Sequence, residues 1–252
     1  MARRPDAGRG RRGPRGPRGP GDAPAIVYGR NPVRELLAAG RRPALELLAT
    51  EQAASEPWLA PHRPAVVDRA RLARVAGTGD HQGVVARAGA YPYADARDLV
   101  AAGGPLVCLD GAHDPRNLGA IARVAEGAGA AGLVIPERGG PGVTAVVAKA
   151  SAGAVEHLPV ARVGSVAAFI HDARGAGRLA VGAHPEGGAD YREVPWEPEA
   201  LIVMGAEGEG LRPRVRDACD ALARIPMRGR VASLNIAVAC GLLLYEAFRN
   251  AK

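Results

Sequence analysis

Cysteine is scarce in this 252-residue chain, and what there is stands apart: Cys108, Cys219 and Cys240 form no C-x-x-C pair and no cluster with histidine. That spacing argues against a disulfide framework and against a zinc site, so no metal is expected. Long hydrophobic runs are missing as well. No apolar stretch reaches the roughly 18 residues that a membrane span needs, and no export-signal core is visible. The expectation is a cytoplasmic setting without membrane contact. Aromatic residues make up only 4%, yet apolar residues reach 47%, so Ala, Val, Leu and Ile must fill a sizeable core.

Lysine is nearly absent. Lys149 and Lys252 are the only two, and arginine supplies the rest of the positive charge. With so much Ala and Gly, a coding bias accounts for the arginine count, which alone carries little functional weight. The distribution of the net charge of +7 says more. Residues 1–24 hold seven arginines against two aspartates, while the body of the chain is nearly neutral. That tail, rich in Gly and Pro and without large apolar residues, is expected to be disordered. A basic arm attracts polyanions, and RNA is the usual cytoplasmic one.

Behind the tail, strand and helix signals alternate in two blocks. Residues 25–90 read as a small α/β domain. Its strands fall at Ile26–Tyr28, Ala44–Ala49, Ala65–Val67 and Gln82–Ala86. One helix covers Val33–Ala39 with Asn31 as cap, and another follows Asp68 through Val75. Ala90–Ala94, with a proline between two tyrosines, reads as a linker. Residues 91–104 carry that linker into the second block, 105–252. Short apolar runs at Leu106–Leu109, Gly132–Ile135, Leu179–Ala183, Leu201–Met204 and Ala221–Ile225 are the mark of buried parallel strands. Helices are expected at Leu118–Ala128, Val143–Ala150, Val166–Arg174 and Leu234–Asn250. The pattern is a doubly wound α/β sheet, in which ligands bind beyond the carboxyl ends of the strands.

Three loops at such ends carry candidate chemistry. In Asp110–Gly119, Asn117 is either a helix cap or a site residue, and Arg123 is either a partner of Glu126 or a site residue. In Leu201–Gly210, Gly205, Gly208 and Gly210 let the backbone approach a ligand. Their G-x-x-G-x-G order differs from the G-x-G-x-x-G of dinucleotide enzymes and lacks the G-K-[ST] of a P-loop, which speaks against a nicotinamide oxidoreductase. Glu207 between those glycines serves either the site or the start of the helix after Pro213. In Ile225–Asn235, Ser233 suits a helix cap. Asn235 falls in the first turn of an apolar helix, where, buried, it needs a ligand or backbone partner.

The three loops together resemble one family. R-N-L-G-A-I-A-R at 116–123, V-M-G-A-E-G-E-G-L at 203–211 and I-P-M…S-L-N at 225–235 are similar, in order and spacing, to the three motifs of the SpoU/TrmH methyltransferases of the SPOUT superfamily. The likeness runs through Lys149-Ala-Ser-Ala-Gly-Ala154 and spans roughly residues 105–250. Tyr28-Gly-Arg-Asn-Pro-Val-Arg-Glu35 and His81-Gln-Gly-Val84 resemble the amino-terminal substrate-binding domain of the branch that methylates a guanosine in large-subunit ribosomal RNA. Where the family often has serine two residues beyond the motif asparagine, this chain has Ala237.

The resemblance implies a parallel-sheet catalytic domain with a carboxyl-terminal trefoil knot, a homodimer, and methyl transfer from S-adenosyl-L-methionine to a ribose 2′-hydroxyl of RNA. It implies that Gly205, Ile225 and Leu234 contact the cofactor, with Met227 and Gly210 nearby. It puts Arg123 at the catalytic centre, with Asn117, Glu207, Ser233 and Asn235 around it. The small residues Ala237, Ala239 and Gly241 suit close helix packing in a dimer. The other readings are methylation of transfer RNA, of another ribosomal nucleotide (a resistance-type adenosine methylation included), or a non-catalytic RNA-binding protein on the same scaffold.

Overall fold

The computed structural model describes residues 24–111, 114–207, 209–231 and 233–249. All but the last residue of the basic tail expected over 1–24 lies outside them. The first sheet is built from β1 (Ala25–Tyr28), β2 (Ala44–Ala49), β3 (Ala65–Val66) and β4 (Val84–Ala88), in the order β1-β4-β2-β3. Strand β4 runs antiparallel to both β1 and β2, and β3 runs parallel to β2. Around it lie α1 (Arg30–Ala39), α2 (Glu51–Ala54) and α3 (Arg69–Ala76). Asp68 caps α3 as expected, its carboxylate accepting from the Arg71 N–H at 2.6 Å. Helix α1 corrects an expectation: its cap is Gly29, at φ 97°, and Asn31 lies inside the helix. Strand β4 begins two residues later than the pattern suggested, because Gln82 and Gly83 take left-handed backbone at φ 54° and 83° and form a turn.

The second sheet holds β5 (Leu106–Asp110), β6 (Gly132–Pro136), β7 (Val160–Val163), β8 (Ala180–Ala183), β9 (Ala189–Asp190), β10 (Leu201–Gly205) and β11 (Ala221–Arg224). Their order is β7-β6-β5-β10-β8-β11-β9, and every recorded pairing is parallel. Five of these strands match the apolar runs. The other two escaped: β7 is V-A-R-V, broken by a charge, and β9 has only two residues. The helices are α4 (Ala96–Ala101), α5 (Pro115–Gly127), α6 (Ala145–Ala150), α7 (Val166–Gly175), α8 (Pro213–Arg216) and α9 (Ile236–Arg249).

Alternation along the central strands builds two cores from one sheet. Val107, Leu109, Leu133, Ile135, Ile202 and Met204 face the layer of α5, α6 and α9, with Ile121, Val147 and Leu243. Leu106, Cys108, Val134, Leu201 and Val203 face the other layer, against Leu99, Ile170 and Val215. Helices α5 and α6 pack so closely that a Cβ on Gly119 would lie 2.5 Å from the Ala150 Cβ and 2.8 Å from the Val147 carbonyl oxygen, so only glycine fits there.

The segment expected to be a linker is part of a packed seam. The Tyr91 hydroxyl donates to the Val155 carbonyl at 2.7 Å, the Val143 N–H donates to the Tyr93 hydroxyl at 2.8 Å, and Ala94 bridges Ala161. Burial pushes the Tyr91 phenol far above its usual range and keeps it a neutral donor. Arg42, on the first sheet's side, forms a buried ion pair with Glu156, with Nε 3.0 Å from the carboxylate, and its guanidinium lies over the Tyr91 ring at 5.3 Å. His157 and Glu35 meet at 2.9 Å across the same seam. Two charges removed from water are tolerated only while paired, and deleting one partner strands the other. Arg42→Ala should therefore lower unfolding stability by about 3–5 kcal/mol in urea denaturation, whereas an Arg42→Met, Glu156→Leu double variant should recover most of the loss.

Candidate active site

Strands β5, β10 and β11 end at the same edge of the parallel sheet, and the three motif loops emerge there. The register places Gly205 opposite Asp110 at the last pair of β10 and β5. Beyond it the chain doubles back: the Ala206 N–H donates to the Gly210 carbonyl at 3.0 Å, and the Gly210 N–H to the Ala206 carbonyl at 2.9 Å. Gly210 sits at φ 70°. A Cβ on Gly205 would lie 2.2 Å from the Gly210 carbonyl carbon, so this turn closes only over a glycine.

A buried carboxylate anchors the turn. Asp110 accepts from the Arg212 backbone N–H at 2.9 Å and from its Nε at 2.7 Å, and its side chain is 0% exposed. That hydrogen bond holds the Arg212 guanidinium above its ordinary pKa. Asp110, the first residue of its motif loop, and Arg212 were not among the candidate site residues. The available signal was a charged residue closing an otherwise apolar strand, L-V-C-L-D, in which every position is buried.

Above this anchor three motif side chains form a relay. The Asn117 Nδ2 donates to Glu207 Oε2 at 2.7 Å, and the Asn235 Nδ2 donates to Asn117 Oδ1 at 3.0 Å. Asn235 Oδ1 in turn accepts from the Ala237 N–H at 2.9 Å. One residue from each motif is thus joined in a line. Asn117 is not the cap of α5; Asp114 is, accepting from the Arg116 N–H at 2.7 Å. Asn235, not Ser233, caps α9. It precedes the helix rather than lying in its first turn, and it is exposed rather than buried. The serine missing at 237 is not needed for this cap, since the bond is made by the Ala237 backbone.

The other candidates stand outside the relay. Arg123 is exposed, and among the described residues it makes no hydrogen bond or ion pair, so the Glu126 partnership does not form. It lies six positions beyond Asn117, about 9 Å along α5. Ser233 is exposed without a recorded partner, and Leu234 is half-buried. The loop from Ile225 to Leu234 carries no backbone hydrogen bond among the described residues. Met227 is 37% exposed there. Among the described residues, amide and carbonyl groups without backbone partners beside exposed Met227 and Val231 suit a ligand that is itself part polar and part apolar. Among the described residues, no group of three or more His, Cys, Asp or Glu side chains is arranged to hold a metal, and no helix is long and apolar enough to cross a membrane.

The SpoU rRNA methylase family model matches residues 104–245, which contain all three motif loops. The chain belongs to that family. Within this SpoU-family chain, residues 26–94 also match the model for RNA 2′-O ribose methyltransferase substrate binding. YacO of Bacillus subtilis (strain 168), named as a TrmH family tRNA/rRNA methyltransferase, is 44% identical over 179 residues, covering 69% of this chain and 72% of that protein. The 23S rRNA (guanosine-2′-O-)-methyltransferase RlmB of Ralstonia nicotianae is 42% identical over 187 residues, covering 73% of this chain and 75% of that one. A crystal structure of an AdoMet-bound rRNA methyltransferase from Sinorhizobium meliloti superposes with a TM-score of 0.76 at 30% identity, over 91% of this chain and 88% of that chain.

The relay is exposed and joined by few bonds, so it contributes little to stability. Asn117→Ala in this SpoU-family enzyme should change the unfolding free energy by no more than about 1 kcal/mol. Methyl transfer to RNA should fall much further, roughly tenfold or more, because Glu207 and Asn235 lose their common partner. Chemical denaturation and single-turnover methylation of the same preparations test the two halves.

Proposed function

We propose that the chain transfers a methyl group from S-adenosyl-L-methionine to the ribose 2′-hydroxyl of a guanosine in large-subunit ribosomal RNA. The observation that carries this is the line Glu207–Asn117–Asn235, which draws one residue from each motif to the edge where the three loops meet. The substrate-binding match and the named ribosomal activity of the Ralstonia relative support RNA, and ribosomal RNA within it. The AdoMet-bound relative supports the donor.

The described residues of the loop from Ile225 to Leu234 carry no backbone hydrogen bond, which supports a place there for an adenosine and an amino-acid moiety. Gly205, Ile225 and Leu234 would hold the donor, with Met227 and Gly210 nearby. When bound, S-adenosylmethionine supplies an electrophilic methyl carbon on a sulfonium. The chain's own residues must orient the ribose and manage its proton. Holding the two reactants in line supplies much of the rate. A guanidinium stays protonated, so Arg123 does not act as a simple base. Its free position on α5 suits a clamp on the phosphate next to the target ribose, where it also stabilises the developing alkoxide. That phosphate, or the Glu207 carboxylate, accepts the proton. Asn117 and Asn235 fix Glu207, and Ser233 lies at the same loop end to meet the ribose. The trefoil knot of the family's carboxyl-terminal segment goes with this reading, as does a division of labour between residues 25–90, 91–104 and 105–252.

The reading includes a homodimer, with a changed rationale. Ala237 is buried in the chain's own core, and Gly241 faces Val124 of α5, so these small residues serve packing within the chain. The opposite face of α9 exposes Val238, Leu242 and Tyr245 at helical spacing, with Tyr245 60% exposed. A second copy covering this stripe would stand close to the site, since Asn235 caps the same helix. Leu242→Glu should give a monomer by light scattering at micromolar concentration; a wild-type monomer with full activity would refute the dimer.

Arg123→Ala should reduce methyl transfer by roughly a hundredfold to a thousandfold, about 3–4 kcal/mol, with S-adenosylmethionine affinity nearly unchanged in calorimetry. Arg123→Lys should also fail, because an ammonium cannot fork between two oxygens. Full turnover by the Ala variant would remove Arg123 from the mechanism, and lost cofactor binding would move it to the other half of the site.

A further inference from the structure

Lys149 is the one lysine among the described residues of a chain that otherwise uses arginine. It lies in the last turn of α6 and reaches into the seam beneath the first sheet. Its Nζ donates to the Asp80 carbonyl at 3.0 Å and lies 5.7 Å from the centre of the Tyr28 ring. The space is tight: a Cβ on Gly29 would come within 2.8 Å of that Nζ. A compact ammonium fits where the broader guanidinium fork would crowd the backbone. An ammonium has three donors, and the Asp80 carbonyl is the only acceptor recorded for it among the described residues.

Other positive charges surround it. Arg116, in the first turn of α5, is exposed and has no ion pair among the described residues. It lies close enough to Tyr28 for its charge to oppose the rise that burial and Asp80 impose on the phenol. Arg69, exposed at the start of α3, acts with Lys149 on the buried His81, whose pKa falls mainly through burial. Among the described residues, Asp80 is the only carboxylate that acts on Tyr28 or Lys149. Arg116 and Arg123 are seven positions apart on α5, so they share a face about 10 Å apart. These charges sit on elements packed in series: Arg123 and Arg116 on α5, Lys149 on α6, which packs on α5 at Gly119, and Arg69 on α3, which packs on β1 as α6 does.

We propose that Arg116, Lys149 and Arg69 form a phosphate-binding strip that holds single-stranded RNA leaving the catalytic centre and leads it onto the substrate-binding domain. The strip rests on the functional reading above and adds the path the substrate takes. These are positioning residues: they grip the flanking backbone and set how far the target ribose lies from the contacts on the first sheet. The buried Arg42–Glu156 pair keeps that span fixed. Phosphate contacts of this kind fix register and carry no base preference.

The test uses the full-length chain and Arg116→Gln, Lys149→Gln and Arg69→Gln variants. Arg87→Gln is the control, being an exposed arginine of the first sheet already paired with Glu46 at 3.2 Å. Binding of a mixed-sequence single-stranded oligoribonucleotide is followed against salt, and methylation of transcribed large-subunit ribosomal RNA is measured alongside. Each strip variant should flatten the dependence of log affinity on log salt by about 0.7, one phosphate contact on a single strand. Each should raise KM for RNA several-fold with kcat nearly unchanged and S-adenosylmethionine affinity intact. The control should match wild type. Lys149→Gln also loosens the seam, so Arg116→Gln, which removes no recorded side-chain contact, keeps the test independent of folding. Unchanged slopes and KM in folded Arg116→Gln and Lys149→Gln proteins overturn the strip, even if Lys149→Gln is less stable. Wild type that binds RNA without methylating it counts against the functional reading, while lost slopes in the variants still uphold the strip.

Discussion

The candidate site depends on one buried charge. Asp110 closes β5 at the point where its pairing with β10 ends, and it holds Arg212 through backbone and guanidinium together. Residues 205–212 are thereby pinned at both ends, at Gly205 by the sheet and at Arg212 by the carboxylate. Between those ends, the paired Ala206 and Gly210 hold the turn, and Glu207 reaches the start of α5. Glu207 then meets Asn117, and Asn117 meets Asn235. A buried carboxylate that satisfies several donors is a stable anchor, because moving any partner leaves charge or a donor without compensation.

The second constraint is the seam. A substrate-binding domain on a loose tether could sample many distances from the catalytic loops. Here Arg42, Glu156, Tyr91 and Tyr93 fill the junction, and β1 lies against α6. The close approach of α5 and α6 at Gly119 carries this order to the first motif. Substrate domain, α6, α5 and motif side chains thus form one contiguous stack.

Much of this was legible in the sequence. The central strands are short apolar runs because both faces of a parallel sheet are covered, and that pattern needs no partner to be read. The three motifs could be ordered and spaced by resemblance. What escaped was set by contacts distant in the chain. β7 carries Arg162 and is defined by its pairing with β6, not by composition. Ser233 looked like a cap because its residue type suits one, but Asn235 takes the role since its side chain already faces Asn117. The tyrosines at 91 and 93 flank a proline and read as a linker, yet their hydroxyls find partners some fifty or more residues away. Asp110 was placed as the first residue of a loop, whereas it is the buried end of β5.

Lys149 has a further consequence outside recognition. In a chain with two lysines, an amine-directed reagent meets only those two side chains and the amino terminus. Burial lowers the Lys149 pKa, while the Asp80 charge opposes the fall, and its Nζ is held against the Asp80 carbonyl. The seam between the two sheets therefore carries its own reporter: acylation of a single defined amine reads out whether the junction is closed, open or covered.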